Sequence, residues 1–404
     1  MKKASIPLFS FIALTCLLPV SENVADTFDP PIHSNSEGLK KENKIERATA
    51  FLSRKAPSQI TSFAGISLTG VAEETPSAIV LRKITFGSCA SQNKPQPIWD
   101  TIVAEKPDLF LFIGDNIYGD TQDMAVMKEK YETLGAKPGY QRLLKNCPVL
   151  STWDDHDYGQ NDGGSNYPMR DESAKEFLDF FNVPKDSPRR TRAGIYGAKT
   201  FGEVGQRVQV ILLDTRYFRS SKMVKDKRSK EEKKAQNVVG WYLPHTDTST
   251  TLLGAEQWAW LEQQLQSPAE IRIIASSIQV VSHEKGMECW GNFPHERKRL
   301  IELISKTKAN GVVCISGDVH FSELSVEKSG AYPLYDLTSS GLTNSSPSWS
   351  KTVNNLRIGE VYAQNNFGAI NIDWANKSLS LEIISLSGNS EIKKELLFSE
   401  LMMK

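Results

Sequence analysis

Acidic and other metal-binding residue types recur directly after six short apolar runs of the sequence. Carboxylates gathered in one place repel each other unless a multivalent cation offsets their charge. The mixture of thiol, phenol, carboxylate and imidazole side chains therefore indicates a metal site. The six segments are residues 87–89 (GSC), 114–120 (GDNIYGD), 153–157 (WDDHD), 214–216 (DTR), 276–279 (SSIQ) and 317–323 (GDVHFSE).

The donor types favour two kinds of metal ion. Carboxylates suit hard cations, whereas Cys and Tyr donors suit a redox-capable metal such as iron. A dinuclear site, with one carboxylate bridging, could polarise a phosphoryl oxygen and lower the pKa of a bound water. Each segment alone has a structural explanation: a turn, a helix start, a packed thiol, or an ion pair between Glu323 and Arg216. Four such motifs at successive strand ends favour the functional explanation.

Strand-like and helix-like segments alternate from about residue 79 to the end of the chain. This alternation, closing on a hairpin, predicts a layered α/β fold with a mixed sheet or two packed sheets. Ligands collect beyond the carboxyl ends of strands in such folds, so the six segments should converge. Predicted strands are 78–86, 108–113, 149–153, 208–213, 271–275, 312–316, 369–374 and 379–385; predicted helices are 97–105, 124–144 (broken near 135–139), 172–181, 255–266 and 294–306.

The first 77 residues differ from the rest. Lys2 and Lys3 precede a mostly apolar stretch at 6–20, with small residues at Ser21 and Ala25, which predicts a secretory signal peptide at 1–25. An uncleaved anchor is the alternative. Residues 26–77 are polar and predict a leader or linker, and 78–404 predict the catalytic domain. Since no other run reaches 18 apolar residues, we expect no transmembrane segment.

Charge and cysteine usage narrow the class of protein. Lys plus Arg and Asp plus Glu each total 48 in 404 residues, which argues against a protein dedicated to nucleic-acid phosphates. Residues 216–234 nevertheless carry nine basic side chains against three acidic ones. That stretch is either a solvated loop or a lid that attracts an anionic substrate. Of the five cysteines, Cys314 is predicted to lie in the core. Cys147 and Cys289 could form a disulfide, but the sequence does not decide whether they do.

The ordered series FGSCAS, FIGDNIYGD, TWDDHDYGQND, LDTR, LGAEQWAWLEQQL, ISGDVHFSEL and LTSSGLT resembles the PhoD-like alkaline phosphatase family, a branch of the calcineurin-like metallophosphoesterases. The match extends from about residue 83 to 385. The resemblance implies a four-layer α/β/β/α sandwich with two packed mixed β-sheets and a metal site at the strand tips. It also implies hydrolysis of phosphate esters, with iron and calcium as metals. The larger members carry an immunoglobulin-like domain for which about 50 leader residues are too few.

The resemblance carries roles onto individual residues. Cys89 and Tyr118 match thiolate and phenolate ligands of a ferric ion, and Asp115 matches the bridging carboxylate. Further metal ligands implied are Asp155, Asp318 and His320; catalytic residues implied are Asp155, His156 and Arg216; substrate contacts implied are His156, Asn161 and Arg216.

The predicted function is therefore a secreted or periplasmic phosphoesterase, acting through a dinuclear or multinuclear site of Fe(3+) and Ca(2+) and a metal-activated water. Its partners would be small phosphate esters or cell-envelope phosphodiesters, and no nucleic-acid-binding surface is expected. Two alternatives stay open at this point: a phosphodiesterase or phospholipase-type hydrolase on the same site, and a non-catalytic protein that binds phosphate esters. The oligomeric state has no sequence prediction.

Overall fold

The computed structural model describes residues 77–404, which form two large β-sheets, a two-stranded ribbon and the helices around them. The strands are β1 (Lys83–Gly87), β2 (Leu109–Ile113), β3 (Val149–Thr152), β4 (Gly197–Phe201), β5 (Val208–Leu212), β6 (Val224–Lys225), β7 (Tyr242–Leu243), β8 (Ile271–Ala275), β9 (Val312–Ser316), β10 (Ser322–Glu327), β11 (Leu334–Thr338), β12 (Arg357–Tyr362), β13 (Asn366–Asp373), β14 (Ser378–Ser385) and β15 (Ser390–Leu397). The helices are α1 (Ile98–Ala104), α2 (Met124–Gly135), α3 (Pro138–Asn146), α4 (Asp155–Tyr158), α5 (Arg170–Phe180), α6 (Lys230–Ala235), α7 (Gly254–Gln266) and α8 (Pro294–Lys306), with short 3-10 turns at Pro188–Arg190, Trp290–Asn292 and Phe398–Leu401.

Both large sheets are mixed. The first has the order β15-β14-β13-β1-β2-β3, in which β1, β2 and β3 are parallel and the last three strands of the chain add an antiparallel half. The second has the order β12-β10-β11-β9-β8-β5-β4, with β5, β8, β9 and β11 parallel at its centre. The carboxyl ends of each parallel set therefore meet at one edge of their sheet.

The sequence of β2 (LFLFI) shows how the layers stack. Every side chain of this strand is buried. Leu109, Leu111 and Ile113 join a core that includes strands of the second sheet, while Phe110 and Phe112 join a core with helices α1, α2, α3 and α5. Helices α7 and α8 pack into the core of the second sheet. The layers thus run helices, sheet, sheet, helices, and β2 is continuously apolar because both of its faces are covered.

Most central elements confirm the sequence predictions. Strands 271–275 and 312–316 and helix 294–306 have the predicted bounds, and the break near 135–139 separates α2 from α3. The first strand begins at Lys83 rather than at 78. The sequence analysis missed β4, β10, β11, β12, β15 and the β6–β7 ribbon. Strand β15 (SEIKKELL) lies at a sheet edge, where charged side chains are common and hide the apolar pattern of a strand.

The remaining predictions concern the N-terminal segments, membrane-spanning helices and a disulfide. The signal peptide at 1–25 and the leader at 26–77 lie outside the described residues, apart from Ser77. Within residues 77–404, no helix combines the length and apolarity needed to cross a membrane. Cys147 and Cys289 do not pair, because both thiols are free and buried, as is that of Cys314.

Candidate metal centre

The carboxyl ends of four parallel strands carry the candidate donors. Cys89 follows β1, Asp115 follows β2, Asp155 follows β3, and Asp318 follows β9. Cys89, Asp115, Asp318 and His320 all have positive φ angles, of 63°, 49°, 71° and 57°. A non-glycine residue in this conformation costs about 1–3 kcal/mol, and such residues cluster at functional sites. The fold thus accepts local backbone strain at the positions that aim these side chains.

Gly114 lets two of the strand ends approach closely. Its φ is +112°, and a Cβ placed there would lie 2.7 Å from the Cβ of Asp154 and 3.0 Å from that of Ser277. Gly317 likewise allows Ser88 to approach closely, because the Oγ of Ser88 would lie 2.3 Å from an added Cβ. The glycine in each of the two GD motifs is therefore required by packing, while the aspartate supplies the donor.

A first donor group mixes sulfur, nitrogen and oxygen. Single donor atoms of Cys89, Asp115 and His320 lie within 4.8 Å of one another. The Cys89 thiol donates to Asp115 Oδ2 at 3.4 Å, and Tyr118 Oη lies 3.1 Å from His320 Nε2. Three side chains with the donor chemistry of a transition-metal site therefore lie close together, and the Tyr118 phenol lies beside one of them, His320.

A second donor group consists of carboxylates. Donor atoms of Asp154, Asp155 and Asp318 lie within 4.8 Å of one another, and Asp115 shares a further group with Asp155 and His156. This set suits a hard cation. Asp115 belongs to groups on both sides, which is the position that a bridging carboxylate would need.

Two buried carboxylate oxygens support a cation at this position. Asp115 Oδ1 and Asp154 Oδ2 have no hydrogen-bond partner, although Asp115 and Asp154 are each only 1% exposed. Buried polar atoms normally have a partner, and an unpaired one costs free energy. Bound cations would satisfy both oxygens, so the residues present fit the metal ions that the sequence implies.

When no cation is bound, burial and repulsion between neighbouring carboxylates determine the pKa values of these donors. Burial, followed by the Asp115 carboxylate, raises the pKa of the Cys89 thiol. Burial also raises the pKa of Asp115, and burial together with Asp154 and Asp155 raises that of Asp318. A bound cation would lower these pKa values instead, because it stabilises the deprotonated form of each ligand.

His156 lies at the edge of the cluster with its ring held from two directions. Its Nδ1 is 2.7 Å from the Asp120 carboxylate, and its ring centroid is 4.2 Å from that of Tyr118. Burial lowers the pKa of His156, but Asp155, Asp115 and Asp120 outweigh it, so the net pKa is raised. The protonated imidazole is therefore the favoured form in this field of carboxylates.

Arg216 and Asn161, the two implied substrate contacts, differ in burial. The guanidinium of Arg216 has no exposed surface; its Nε donates to Asp154 at 2.6 Å and its Nη1 to Glu288 at 2.7 Å. It therefore sits behind the donors and offsets their charge. Asn161 is exposed, and its side chain makes no hydrogen bond within residues 77–404. The alternative of a Glu323–Arg216 ion pair is wrong, because Glu323 pairs with Lys285 and Arg357.

Three acidic residues of the site were missed by the sequence analysis. Asp154 is the first acid of DDHD, next to the one that was assigned, while Asp162 and Glu288 form a further group with Asp155. Glu288 also pairs with Arg219 Nη1 at 3.1 Å. The DDHD motif itself pointed toward Asp154. Glu288 follows no apolar run, so no sequence pattern marks it.

The basic stretch 216–234 is only partly a surface feature. Arg216 and Arg219 are fully buried, so two of its nine positive charges neutralise Glu288 and Asp154 inside the protein. The remaining basic residues follow through β6 and α6, where no residue of α6 is buried. The interpretations as a solvated loop and as a lid therefore apply to residues 222–234.

Two mixed sheets with helices outside and an acidic donor cluster at the strand ends define a metallophosphoesterase-like fold. Residues 84–332 match the family model of the PhoD-like phosphatases, which covers more than half of the sequence, so the chain belongs to the PhoD-like phosphatase family. This confirms the resemblance found in the sequence and the predicted α/β fold with two mixed sheets.

Individual relatives agree with this assignment. Alkaline phosphatase D of Bacillus subtilis (strain 168) is 26% identical over 278 residues, which are 59% of this chain and 45% of that protein. The match thus spans less than half of that relative's length. The solved structure of PhoD superposes with a TM-score of 0.61 at 18% identity, covering 80% of this chain and 69% of that chain. GAP50, the anchor in the inner membrane complex of Plasmodium, gives 0.51 at 12% identity over 80% and 90%. These structures show the shared fold.

Proposed function

We propose that the chain is a metal-dependent phosphoesterase that hydrolyses phosphate esters at the strand-end cluster. The observation that carries the proposal is that Asp115 connects two donor groups of different chemistry, because it lies with Cys89 and His320 on one side and with Asp155 of the carboxylate group on the other. Membership of the PhoD-like phosphatase family supports the same reaction class. An intact donor set also argues against the non-catalytic phosphate-ester-binding protein considered from the sequence.

Each donor group fits a different ion. Cys89, Tyr118 and His320, with Asp115, would hold the softer, redox-capable ion, for which Fe(3+) is the expectation. A hard ion such as Ca(2+) would be held by the carboxylates of Asp154, Asp155 and Asp318. Bound there, the two ions would neutralise phosphoryl oxygens and activate water for attack on phosphorus.

The chain's own residues contribute proton transfer and positioning. Because Nδ1 of His156 faces Asp120 at 2.7 Å, Nε2 remains to donate a proton to the oxygen of the departing alcohol. Arg216 holds Asp154 from behind and so fixes the orientation of that carboxylate. We assign Arg216 a positioning role, and Asn161 remains a proposed contact of the entering phosphate ester.

Replacement of Asp115 tests the proposal. Asp115→Asn removes the carboxylate charge at nearly constant shape, so kcat/KM on 4-nitrophenyl phosphate should fall by more than about a hundredfold. Circular dichroism should show an unchanged fold. Ser345→Ala, on a half-buried side chain outside both donor groups, is the matched control and should keep the wild-type rate. Near-normal turnover by Asp115→Asn would refute the proposal.

The type of ester is a separate question. Wild-type rates on 4-nitrophenyl phosphate and bis(4-nitrophenyl) phosphate distinguish a monoesterase from a phosphodiesterase or phospholipase-type enzyme. We expect the monoester to be preferred. A preference for the diester would assign the same site to cell-envelope phosphodiesters instead.

We also propose that the protein is exported, with residues 1–25 as signal peptide and 78–404 as the catalytic domain. The basic Lys2 and Lys3 before the apolar stretch at 6–20 support this. N-terminal sequencing of protein recovered from the periplasm or medium tests it. A chain that stays in the cytoplasm with its first residues intact would refute export.

A further inference from the structure

One aromatic side chain is exposed near the candidate site. Trp241 is 47% exposed, and it is the single exposed Phe, Trp or Tyr among residues 77–404. It precedes β7 on the two-stranded ribbon, where its carbonyl accepts from the Asp226 N–H at 2.7 Å. A large apolar ring in water at a fixed position is available to bind a ligand.

A row of ring contacts connects Trp241 with the donor cluster. The Trp241 ring lies edge-on to Trp349, with centroids 6.2 Å apart, and Trp349 stacks on His320 at 5.3 Å with an interplanar angle of 2°. His320 Nε2 in turn lies 3.1 Å from Tyr118 Oη. The exposed indole is therefore two ring contacts away from a candidate metal ligand.

The ribbon that carries Trp241 is also tied to the acidic donors. Tyr242 donates its hydroxyl to the Asp162 carboxylate, and the Asp162 N–H donates to Asp155 Oδ2 at 2.8 Å. Lys225 Nζ lies 3.0 Å from Tyr242 Oη and 4.3 Å from its ring centroid. These contacts hold the ribbon beside the cluster instead of leaving it to move with solvent.

The segment that carries Trp349 is bound to the same region. The carbonyl of Asn237 accepts from the Val353 N–H at 2.8 Å and from Thr352 Oγ1 at 3.0 Å. The segments that carry the two tryptophans are thus joined by two hydrogen bonds at Asn237, one from the backbone of Val353 and one from the side chain of Thr352. A pair of rings held in this way can bind a flat ligand with little loss of side-chain entropy.

We propose that Trp241 and Trp349 form an aromatic shelf that selects phosphate esters whose alcohol carries an aromatic or heteroaromatic ring. The inference rests on the proposed phosphoesterase function, since the shelf acts on the alcohol part of an ester held at the cluster. The exposed lysine on the same ribbon, Lys225, adds positive charge beside the shelf and favours an anionic ligand.

The selectivity of variants tests the shelf. We would measure kcat/KM on 4-nitrophenyl phosphate and on glycerol 2-phosphate for each protein and compare the ratio of the two values, which cancels the difference in leaving-group reactivity. Trp241→Ala should lower this ratio about tenfold, mainly through KM of the aryl ester, because ring contacts of this kind are worth about a factor of ten. Trp241→Phe should keep most of the wild-type ratio.

Two further variants are compared in the same experiment. Leu397→Ala removes an apolar side chain of similar exposure (54%) from β15, at the edge of the first sheet. It should leave the ratio of the two kcat/KM values unchanged. Trp349→Ala removes the stack on His320, so it should lower kcat on both esters as well as the ratio. An unchanged ratio in Trp241→Ala would overturn the shelf.

A binding measurement separates failure of the shelf from failure of the proposed function. Phenylphosphonate and methylphosphonate share a phosphonate and differ in the ring, and neither is hydrolysed. Tryptophan fluorescence titration should give a dissociation constant for phenylphosphonate about tenfold higher in Trp241→Ala, with that for methylphosphonate the same in both proteins. Wild-type protein that hydrolyses neither ester but shows this difference would refute the phosphoesterase and keep the shelf. Equal phenylphosphonate affinities in the two proteins would refute the shelf.

Discussion

Four candidate donors adopt the left-handed backbone conformation that non-glycine residues rarely take. At Cys89, Asp115, Asp318 and His320 a glycine would relieve this strain, but it would also remove the side chain that we propose as a ligand. The strain must then be offset by packing of the buried strands that precede them. At the scale of single residues, the site is built by holding ligands in conformations that unconstrained loops would not keep.

Tyr118 allows a donor to be removed without disturbing its surroundings. Tyr118→Phe keeps the ring that stacks on His156 at 4.2 Å and deletes only the hydroxyl near His320 Nε2. We expect the variant to lose the visible absorption that a ferric phenolate gives, and to bind the transition metal about ten- to a hundredfold more weakly. Metal analysis and the visible spectrum of the purified protein measure both effects.

The control for this variant is Tyr362→Phe, a half-buried tyrosine on β12 outside the donor groups. It should keep the wild-type metal content and colour. A colourless wild-type protein of full activity would remove iron from the proposed site. Full colour in Tyr118→Phe would show instead that the phenol is no ligand.

At the scale of elements, strand β10 begins at the end of the segment 317–323 and contacts two segments that are distant in the sequence. Glu323 on this strand accepts from Lys285 Nζ, from Arg357 Nε at 2.7 Å and from Asn354 Nδ2 at 3.0 Å, and it is fully buried. Two cations hold its charge inside the protein. The network fastens residues 285 and 354–357 to the strand that directly follows His320.

Glu323 gives the protein a predictable sensitivity to acid. Burial raises its pKa, but Lys285 and Arg357 outweigh burial and lower the pKa from 4.5 to about 2. Ionised Glu323 therefore stabilises the fold above pH 4.5, and this contribution is lost as the pH falls from 4.5 toward 2. Glu323→Gln should lower the free energy of unfolding at pH 7 by about 3 kcal/mol, because it leaves the buried Lys285 and the partly buried Arg357 without their partner.

Denaturant unfolding at pH 7 and at about pH 3 tests this expectation. The difference between wild type and Glu323→Gln should be smaller at the lower pH, because Glu323 is then protonated in the unfolded state and its ionisation in the folded state contributes less to stability. Glu327→Gln on the same strand is the matched control: Glu327 pairs with Arg297 at 2.7 Å but is partly exposed, so its replacement should cost clearly less. An effect of Glu323→Gln that is equal at both pH values would rule out the charge as its cause.

The sequence predicts those parts of the site that follow buried strands. Cys89, Asp115, Asp155 and Asp318 each come directly after a strand whose apolar run is visible, so parallel packing places them at one edge. Glu288 lies in an irregular segment between β8 and α8, and only tertiary packing brings it to Arg216 and Arg219. For the same reason, the sequence could not show that Arg216 is buried behind the donors, because a short motif does not reveal which side of a strand end faces solvent.

The fold is missed in the sequence wherever strands carry charge. Strand β12 (RIGEVY) has no buried residue, and β15 alternates charged and apolar side chains at the edge of its sheet. Their place depends on backbone pairing with β10 and β14 rather than on an apolar pattern of their own. The interior strands β10 (SELSVE) and β11 (LYDLT) were missed as well, because polar residues interrupt their apolar pattern although both strands are buried.

At the scale of the whole molecule, the formal net charge of zero conceals an uneven distribution. Acidic side chains are concentrated in the buried cluster, with Arg216 and Arg219 as buried counter-charges. Without cations, burial raises the pKa of Asp154 to about 6, and burial with Glu288 and Asp155 raises that of Asp162 to about 7. The protein without metal therefore carries carboxylates that prefer to be protonated near neutral pH.

This preference predicts an unusual dependence of stability on pH. Because the folded pKa values of Asp154 and Asp162, about 6 and about 7, lie above the ordinary 3.8, the native state binds more protons than the unfolded state between about pH 7 and 4. Stability must then rise as the pH falls through this window. His156, whose folded pKa is also raised, adds in the same direction. Bound cations hold the carboxylates deprotonated in the native state and remove the effect of Asp154 and Asp162.

Thermal unfolding of chelator-treated and metal-loaded protein at several pH values between about 5 and 8 measures this difference. The metal-free protein should unfold at a higher temperature at the lower pH, whereas the metal-loaded protein should show a much smaller change and a higher unfolding temperature throughout, since ligands that bind the native state stabilise it. Asp162→Asn should weaken the pH dependence of the metal-free protein, because it removes a carboxylate that takes up a proton. Parallel pH profiles with and without metal would show that cations do not bind among these carboxylates.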